Sequence, residues 1–340
     1  MFDRYLKNVV GGEYLNNEEA YLTARMLLHD SIPEIKAAAL LSALRTRKES
    51  AAELSGFVQA LFEEAVTMNS DLELIDTCGT GGDGLGTFNI STAAALVVAS
   101  CGVPVAKHGN RAVTGKVGSA DLLEALGVNI QLSPDEAHRM LDKVGITFLF
   151  APNYHPILKQ LGPLRRGIGV ATIFNFLGPL LNPYPLAYQV MGIADANLQE
   201  AVGQTLLQLG RKRALVVCAE NGMDEISPIG ITRVFDAGLE QQQTYTINPA
   251  TLCMTPLGLE AIRGGDKESN ARITRNIFAG MPGPYRQVVV LNAAAALMAA
   301  GRARDMEEGI LIAAEAIDSG KSQATLQAMI SYSRDRVIPC

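Results

Sequence analysis

The sequence predicts an α/β protein in which a small N-terminal helical domain, residues 1–67, precedes a larger domain, residues 72–340, built on a mostly parallel central sheet. Three observations carry this reading. Helix-start signals recur through the first 67 residues, short β-rich apolar runs alternate with helical stretches from Leu72 onward, and the composition is that of a packed globular chain.

Hydrophobic residues make up 48% of the 340 and charged ones 19%, with no low-complexity tract, which argues against disorder. A net charge of −6 leaves no surplus of cations to neutralise a nucleic-acid backbone. The five cysteines, Cys78, Cys101, Cys218, Cys253 and Cys340, are scattered and never in a C-x-x-C spacing near histidine. That pattern opposes a zinc site or a disulfide framework and suits reduced thiols in cytosol. No apolar h-region follows Met1 to Lys7, so no secretory signal is expected. The longest apolar stretch, Val288 to Ala300, is too short to span a bilayer and contains Asn292; it reads as a short strand, Val288–Leu291, ahead of a buried helix. The expectation is a cytoplasmic protein that binds neither membrane nor nucleic acid.

The helical start follows from capping patterns: Asn16 with Glu19, Ser31 with Glu34 around Pro33, and Ser50 with Glu53. Between them, apolar residues such as Tyr21, Leu22, Met26 and Leu28, then Ile35, Ala38, Ala39, Leu41 and Leu44, recur at helical spacing. Candidate strands are Leu72 to Thr77, Pro104 to Lys107, Ile146 to Phe150, Tyr188 to Ile193, Ala214 to Ala219, and Val288 to Leu291. Helices fill the intervals, for example after Ser133-Pro134-Asp135-Glu136 and after Asp195. The Gly- and Pro-rich stretch from Arg165 to Pro183 reads as crossing connections, with part of 165–185 joining the helical domain.

Two loops carry chemistry. The run from Asp76 to Thr92 places five glycines, Gly79, Gly81, Gly82, Gly84 and Gly86, between a strand and the helix beginning near Ala93. Glycine lets backbone N–H groups turn inward, and the next helix adds its own unpaired amides, which together suit phosphate. Thr87, Asn89, Ser91 and Thr92 add donors, and Ser91 can ligate a metal. The loop lacks the G-K-[ST] ending of a P-loop. Gly79, Gly81 and Gly84 complete a G-x-G-x-x-G, yet Asp83 inside it suits a diphosphate only if it takes a sugar hydroxyl or a metal-bound water. A flexible turn is the plainer alternative. The second loop runs from Lys107 to Asp121 after the next strand, so in an open α/β sheet it faces the first. Lys107 suits phosphate, and Ser119 caps the helix Asp121–Leu126 or binds phosphate as well. A solvated basic loop is the alternative here.

Both loops resemble the signatures of the anthranilate phosphoribosyltransferases, whose members join anthranilate to 5-phosphoribosyl 1-pyrophosphate (PRPP) in tryptophan biosynthesis. The resemblance extends to Arg165-Arg166, to the run from Thr172 to Pro183, and to the run from Asn221 to Ser227, and so covers nearly the whole chain. It implies a fold like that of nucleoside phosphorylases and this family of transferases, with Mg²⁺ as cofactor. It further implies that Gly79, Gly82, Asp83, Thr87, Asn89, Ile90, Ser91, Thr92, Lys107, His108, Gly109, Asn110, Arg111, Ala112, Val113, Thr114, Gly115 and Ser119 bind PRPP. Mg²⁺ falls to Ser91, Asp224 and Glu225. Asn110 and Arg165, with Gly79 and His108, line the place of anthranilate, and a homodimer through the helical domain is implied. The family pattern has small hydroxyl residues where this chain has Ala112 and Gly115, which puts affinity rather than activity in question. Read from the residues alone, Asp224-Glu225 sits beyond the strand Ala214–Ala219, where oxygen ligands for Mg²⁺ belong, although such a dipeptide is also common in solvated turns.

No general base is named, because the amine of anthranilate is neutral and attacks once positioned. Two rivals share the fold. A pyrimidine-nucleoside phosphorylase has a similar Gly118-Ser119-Ala120-Asp121 segment but does not call for the Asp224-Glu225 pair, and a non-catalytic nucleic-acid-binding relative calls for a basic groove that an acidic chain does not provide.

Overall fold

The computed structural model describes the whole chain except residues 31, 113–116, 253, 256 and 335–340. Four helices open it: α1 (Phe2–Val10), α2 (Asn17–His29), α3 (Glu34–Arg47) and α4 (Ala51–Phe62). Two start as their sequences require. Asn16 Oδ1 accepts the Glu19 N–H at 2.9 Å while the Glu19 carboxylate accepts the Asn16 N–H at 3.3 Å, and Ser50 and Glu53 exchange the same pair at 3.2 and 2.9 Å. The third start differs: α3 begins after Pro33 with no side-chain cap, and Ser31 lies outside the described residues. Glu53 is fully buried and also accepts the Leu15 N–H and the Arg47 guanidinium, so its box joins three segments. Ser50→Ala is expected to lower stability by about 1 kcal/mol. A denaturation midpoint equal to that of the unsubstituted chain would show that Glu53 holds the start of α4 without Ser50.

The remaining elements alternate: β1 (Ile75–Gly79), α5 (Ile90–Ser100), β2 (Val105–Gly109), α6 (Ser119–Leu126), α7 (Pro134–Val144), β3 (Ile146–Phe150), α8 (Ala151–Tyr154), α9 (Gly162–Ile168), α10 (Ile173–Leu180), β4 (Tyr188–Gly192), α11 (Gln199–Gln208), β5 (Arg213–Ala219), β6 (Thr232–Gly238), β7 (Gln242–Ile247), α12 (Lys267–Phe278), α13 (Pro284–Ala299), α14 (Met306–Asp318) and α15 (Lys321–Arg334). The strands form one sheet in the order β3-β2-β1-β4-β5-β6-β7, parallel through β5 and antiparallel beyond.

Both faces of the sheet are covered, as parallel strands require. Along β5, Leu215, Val217 and Ala219 enter one core with α5, α13, α14 and α15, while Ala214, Val216 and Cys218 enter a second with α10, α11 and the opening helices. Ile173, Phe174, Phe176, Leu177 and Leu180 of α10 are buried in that second core. Phe174 meets Phe57 of α4 edge to face, ring centroids 6.1 Å apart.

Two expectations fail. Val288–Leu291 is not a strand; α13 runs unbroken from Pro284, because a segment buried on nearly every side gains as much from a helix as from a strand and Pro284 supplies a ready first turn. The antiparallel hairpin β6–β7 was not anticipated, since its outer strand is polar and largely exposed. Among the described residues no helix is long and apolar enough to cross a membrane.

Candidate active site

The loop leaving β1 owes its shape to glycine. Gly81, Gly82, Gly84 and Gly86 take φ values of 71, 78, 72 and 66°, a region closed to most side chains. The loop is pinned from outside, where Gly86 O accepts the Gly264 N–H at 2.9 Å and Phe88 N donates to Ile262 O at 3.3 Å. It delivers the chain to α5, whose first residues alternate in role. The side chains of Ile90 and Thr92 are buried and the Ile90 N–H donates to Phe88 O at 2.8 Å, whereas Ser91 is partly exposed. Asn89 stands at the cap position of α5 but makes no capping bond. Its amide donates to Val117 O at 2.9 Å and accepts from Asn270 Nδ2 at 3.0 Å, tying both loops to α12. The side chain of Thr87 is half-buried beside an isolated bridge to Arg263.

At the next strand end, Lys107 is buried, its Nζ donating to Thr77 O at 2.6 Å and lying 3.5 Å from Ser91 Oγ. The neighbouring His108 is also buried. Its Nδ1 lies 3.1 Å from Gly178 O and so carries the proton, leaving Nε2 an acceptor with no partner among the described residues. Burial, then the His155 ring 5.3 Å away, pushes His108 down to about 3, so the imidazole is neutral. A Cβ on Gly109 would collide with Ser119 and Phe148, which explains glycine there.

The rest of this loop turns outward. Asn110 is exposed, its Oδ1 accepting the Arg111 N–H at 2.7 Å. Arg111 is taken up by α6: both terminal nitrogens meet Glu124, at 2.6 and 2.8 Å, and Nη1 meets Asp121 at 3.0 Å. Ala112 donates its N–H to Asp121 Oδ2 at 3.1 Å. Ser119 is not the cap of α6. It is the first helical residue, the cap is Gly118, and Asp121 accepts the Gly118 N–H at 2.9 Å, while Ser119 Oγ donates to Asn110 O at 3.3 Å. Val113, Thr114 and Gly115 lie outside the described residues. Arg165, on α9, is half-buried with no hydrogen-bond partner among the described residues, and burial holds its guanidinium below the usual range.

The carboxylates arrive at the point where the strand order reverses. From β1 the chain steps outward to β2 and β3, from β4 to β5 in the other direction, and a crevice opens above Gly79 and Gly192. The turn beyond β5 fills it. A Cβ at Gly79 would strike the Asp224 carboxyl, and one at Gly192 would overlap the Asp224 carbonyl. Asp224 Oδ2 accepts the Gly81 N–H at 2.6 Å, and Glu225 Oε1 accepts the Ser91 N–H at 3.2 Å. Asn292 of α13 then clamps both backbone groups of Ile226, accepting its N–H at 2.9 Å and donating to its carbonyl at 3.0 Å. Sequence reasoning assigned Asn292 no role, although a lone amide in an apolar run was the available signal.

Both carboxyls titrate above the ordinary range. Burial is the main cause; repulsion from Asp83 adds to it at Asp224, and repulsion from Asp224 at Glu225, where Lys107 opposes it. Asp83 contributes an Oδ2 that is buried and without a partner among the described residues. Three carboxylates thus share one neighbourhood with one ammonium, the environment a hard cation relieves. Among the described residues no three such side chains close on a point by themselves. A backbone amide holds one oxygen each of Asp224 and Glu225, which leaves the second oxygen of each to a cation.

Residues 3–65 match the helical bundle domain of a glycosyl transferase family and residues 71–323 its a/b domain. An anthranilate phosphoribosyltransferase of Syntrophomonas wolfei is 69% identical over 340 residues, all of both chains. The crystal structure of the Thermus thermophilus anthranilate phosphoribosyltransferase superposes with a TM-score of 0.90 at 38% identity, covering 97% of this chain and 99% of that one. The Saccharomyces cerevisiae enzyme in complex with PRPP and Mg gives a TM-score of 0.89 at 25% identity, covering 98% and 97%.

Proposed function

The chain belongs to the anthranilate phosphoribosyltransferases, and we propose from that premise how its own residues carry the family's reaction. It transfers the phosphoribosyl group of PRPP to the amine of anthranilate, giving N-(5-phosphoribosyl)anthranilate and pyrophosphate, in tryptophan biosynthesis. Neither a pyrimidine-nucleoside phosphorylase nor a nucleic-acid-binding relative is carried forward beside that membership.

One observation supports the assignment of the site most directly: the buried Lys107 ammonium, the amides of Gly81 and Ser91, and the carboxyls of Asp224 and Glu225 meet at one crevice of the sheet. We assign the phosphates and ribose of PRPP to Gly79, Gly82, Asp83, Thr87, the run Asn89 to Thr92, the loop Lys107 to Gly115, and Ser119. Within that set, Thr92 acts through its backbone amide, Ile90 by the packing that seats the first turn of α5, and Arg111 by holding the loop against α6. Ser91, Asp224 and Glu225 hold Mg²⁺, with Asp83 facing the same space. Bound there, the cation neutralises charge on the departing pyrophosphate. Asn110, Arg165, Gly79 and His108 receive anthranilate.

In the reaction a C–N bond forms at the anomeric carbon as the C–O bond to pyrophosphate breaks, through a transition state of oxocarbenium character. Lys107 supplies positive charge where negative charge gathers on the leaving group, while the Gly81 and Ser91 amides hold the Asp224 and Glu225 carboxyls beside it. The neutral amine needs no base to attack, so positioning supplies the rest, and the proton is shed after the bond has formed. The helical domain, 1–67 with part of 165–185, is proposed as the dimer face, since Val10, Tyr14 and Ile35 expose apolar surface there. A cytoplasmic location follows from the biosynthetic role.

Mixing the protein with anthranilate, PRPP and Mg²⁺ is expected to quench anthranilate fluorescence as product forms; fluorescence that stays constant over hours would end the proposal. Arg165→Ala is expected to raise KM for anthranilate about tenfold or more while leaving KM for PRPP within about threefold. Asn110→Ala, in a loop also assigned to PRPP, is expected to raise KM for anthranilate more than KM for PRPP. Equal effects on both substrates would remove these residues from the acceptor side.

A further inference from the structure

The ladder between β1 and β2 stops after its first rung. Ile75 registers with Val105 and nothing follows, whereas β1–β4 and β2–β3 are registered over five positions each. Continuing the ladder would set Thr77 opposite Lys107 and pair Thr77 O with the His108 N–H and Ala106 O with the Thr77 N–H. Three of those groups are instead served by side chains. The His108 N–H donates to Asp76 Oδ2 at 3.2 Å, Ala106 O accepts from Asn182 Nδ2 at 2.7 Å, and Thr77 O accepts from Lys107 Nζ at 2.6 Å. Asn182 Nδ2 also donates to Asp76 Oδ2 at 3.0 Å, and its own Oδ1 is fixed by the Tyr184 N–H at 3.1 Å. Asp76 and Asn182 are both fully buried.

We propose that Asp76 and Asn182 are positioning residues for the phosphoribosyl donor: by taking the His108 N–H and the Ala106 carbonyl, they keep Thr77 O free to anchor the Lys107 ammonium. The inference rests on the functional reading above and adds to it. Buried backbone groups must be satisfied, so a missing rung persists only where other groups replace it. In a completed rung the His108 N–H would occupy Thr77 O. The ammonium would then have to share that oxygen, its only anchor closer than 3 Å among the described residues, and shift from its place beside Ser91 Oγ. The same pair fixes His108, one residue on, so a single interposed device sets the root of both a phosphate ligand and an acceptor contact.

The test compares Asp76→Ala, Asn182→Ala and Asp76→Asn with the unsubstituted full-length chain. The readouts are KM for PRPP, the Kd of inorganic pyrophosphate by calorimetry, and the thermal midpoint. Asp76→Ala is expected to raise KM for PRPP and the pyrophosphate Kd together, by about tenfold or more, at temperatures where the protein is fully folded. Asn182→Ala should do the same to a smaller extent, and it carries the test if Asp76→Ala does not fold. Asp76→Asn keeps an oxygen that accepts from the same donors and should recover to within about threefold. A merely structural role would lower the midpoint and leave KM and Kd alone in folded protein, and that result overturns the inference. So does an Asp76→Asn as impaired as Asp76→Ala. An unsubstituted chain that binds pyrophosphate but makes no product from PRPP and anthranilate overturns the functional reading and this inference with it; loss confined to the variants does not touch that reading.

Discussion

Lys107→Ala is expected to reduce kcat/KM on the order of a thousandfold while leaving a folded protein, because a positioned cation at the developing charge of a leaving group is worth several kcal/mol in a site shielded from water. Lys107 is buried, reaches the carbonyl of Thr77, and stands beside Ser91 at the start of α5. A lysine that served only the fold would make the opposite trade. Its removal would eliminate a charge buried in the interior, and activity would survive. Steady-state kinetics with each substrate varied, beside a melting curve, separates the two; kcat/KM within tenfold of the unsubstituted chain would take Lys107 out of the chemistry. Lys107→Arg is not a rescue, since a planar fork cannot replace a compact ammonium in that slot.

The second large effect belongs to the carboxylates. Asp224→Asn combined with Glu225→Gln keeps their shape and removes both charges. Turnover is expected to fall by about a thousandfold or more, and the response to Mg²⁺ to disappear. At the same time the metal-free double variant should melt higher than the unsubstituted chain, by about 2 °C or more, because burial and repulsion from neighbouring carboxylates burden Asp224 and Glu225 when no cation is present. Adding Mg²⁺ should raise the melting temperature of the unsubstituted chain and leave the variant where it was. A variant that still turns over in proportion to Mg²⁺ would refute the assignment of these two residues.

The candidate site is legible in the sequence wherever short-range chemistry determines it. The glycines after β1 had to be glycines because four take positive φ, and the strand ahead of them placed the loop at the sheet's active edge. Lys107 was legible for the same reason. What stayed hidden depends on contacts distant along the chain. Asn292 reaches Ile226 across 66 positions, and Asn182 reaches Asp76 across 106, so neither could be matched to a partner by inspection. Arg111 looked like a phosphate ligand because its loop is basic, yet Glu124 and Asp121 on the following helix meet it first. Among the elements, Val288–Leu291 misled because a short valine-rich run suits a strand covered on both faces as well as a buried helix, and α13 is buried from Val288 to Ala299. The hairpin β6–β7 escaped because β7 is polar and largely exposed, while β6, though mostly buried, mixes Thr232, Arg233 and Asp236 with its apolar residues and shows no clean alternation.

Gly79 and Gly192 sit on neighbouring strands, and the same aspartate backbone rests on both. The turn that bears Asp224 and Glu225 therefore cannot be inherited alone. A larger residue at either strand end would lift the turn away from the crevice, and a transplanted turn would find no seat in a sheet lacking both glycines. Two strand termini and one distant loop thus form a single heritable module, which drift or engineering must keep or exchange as a whole.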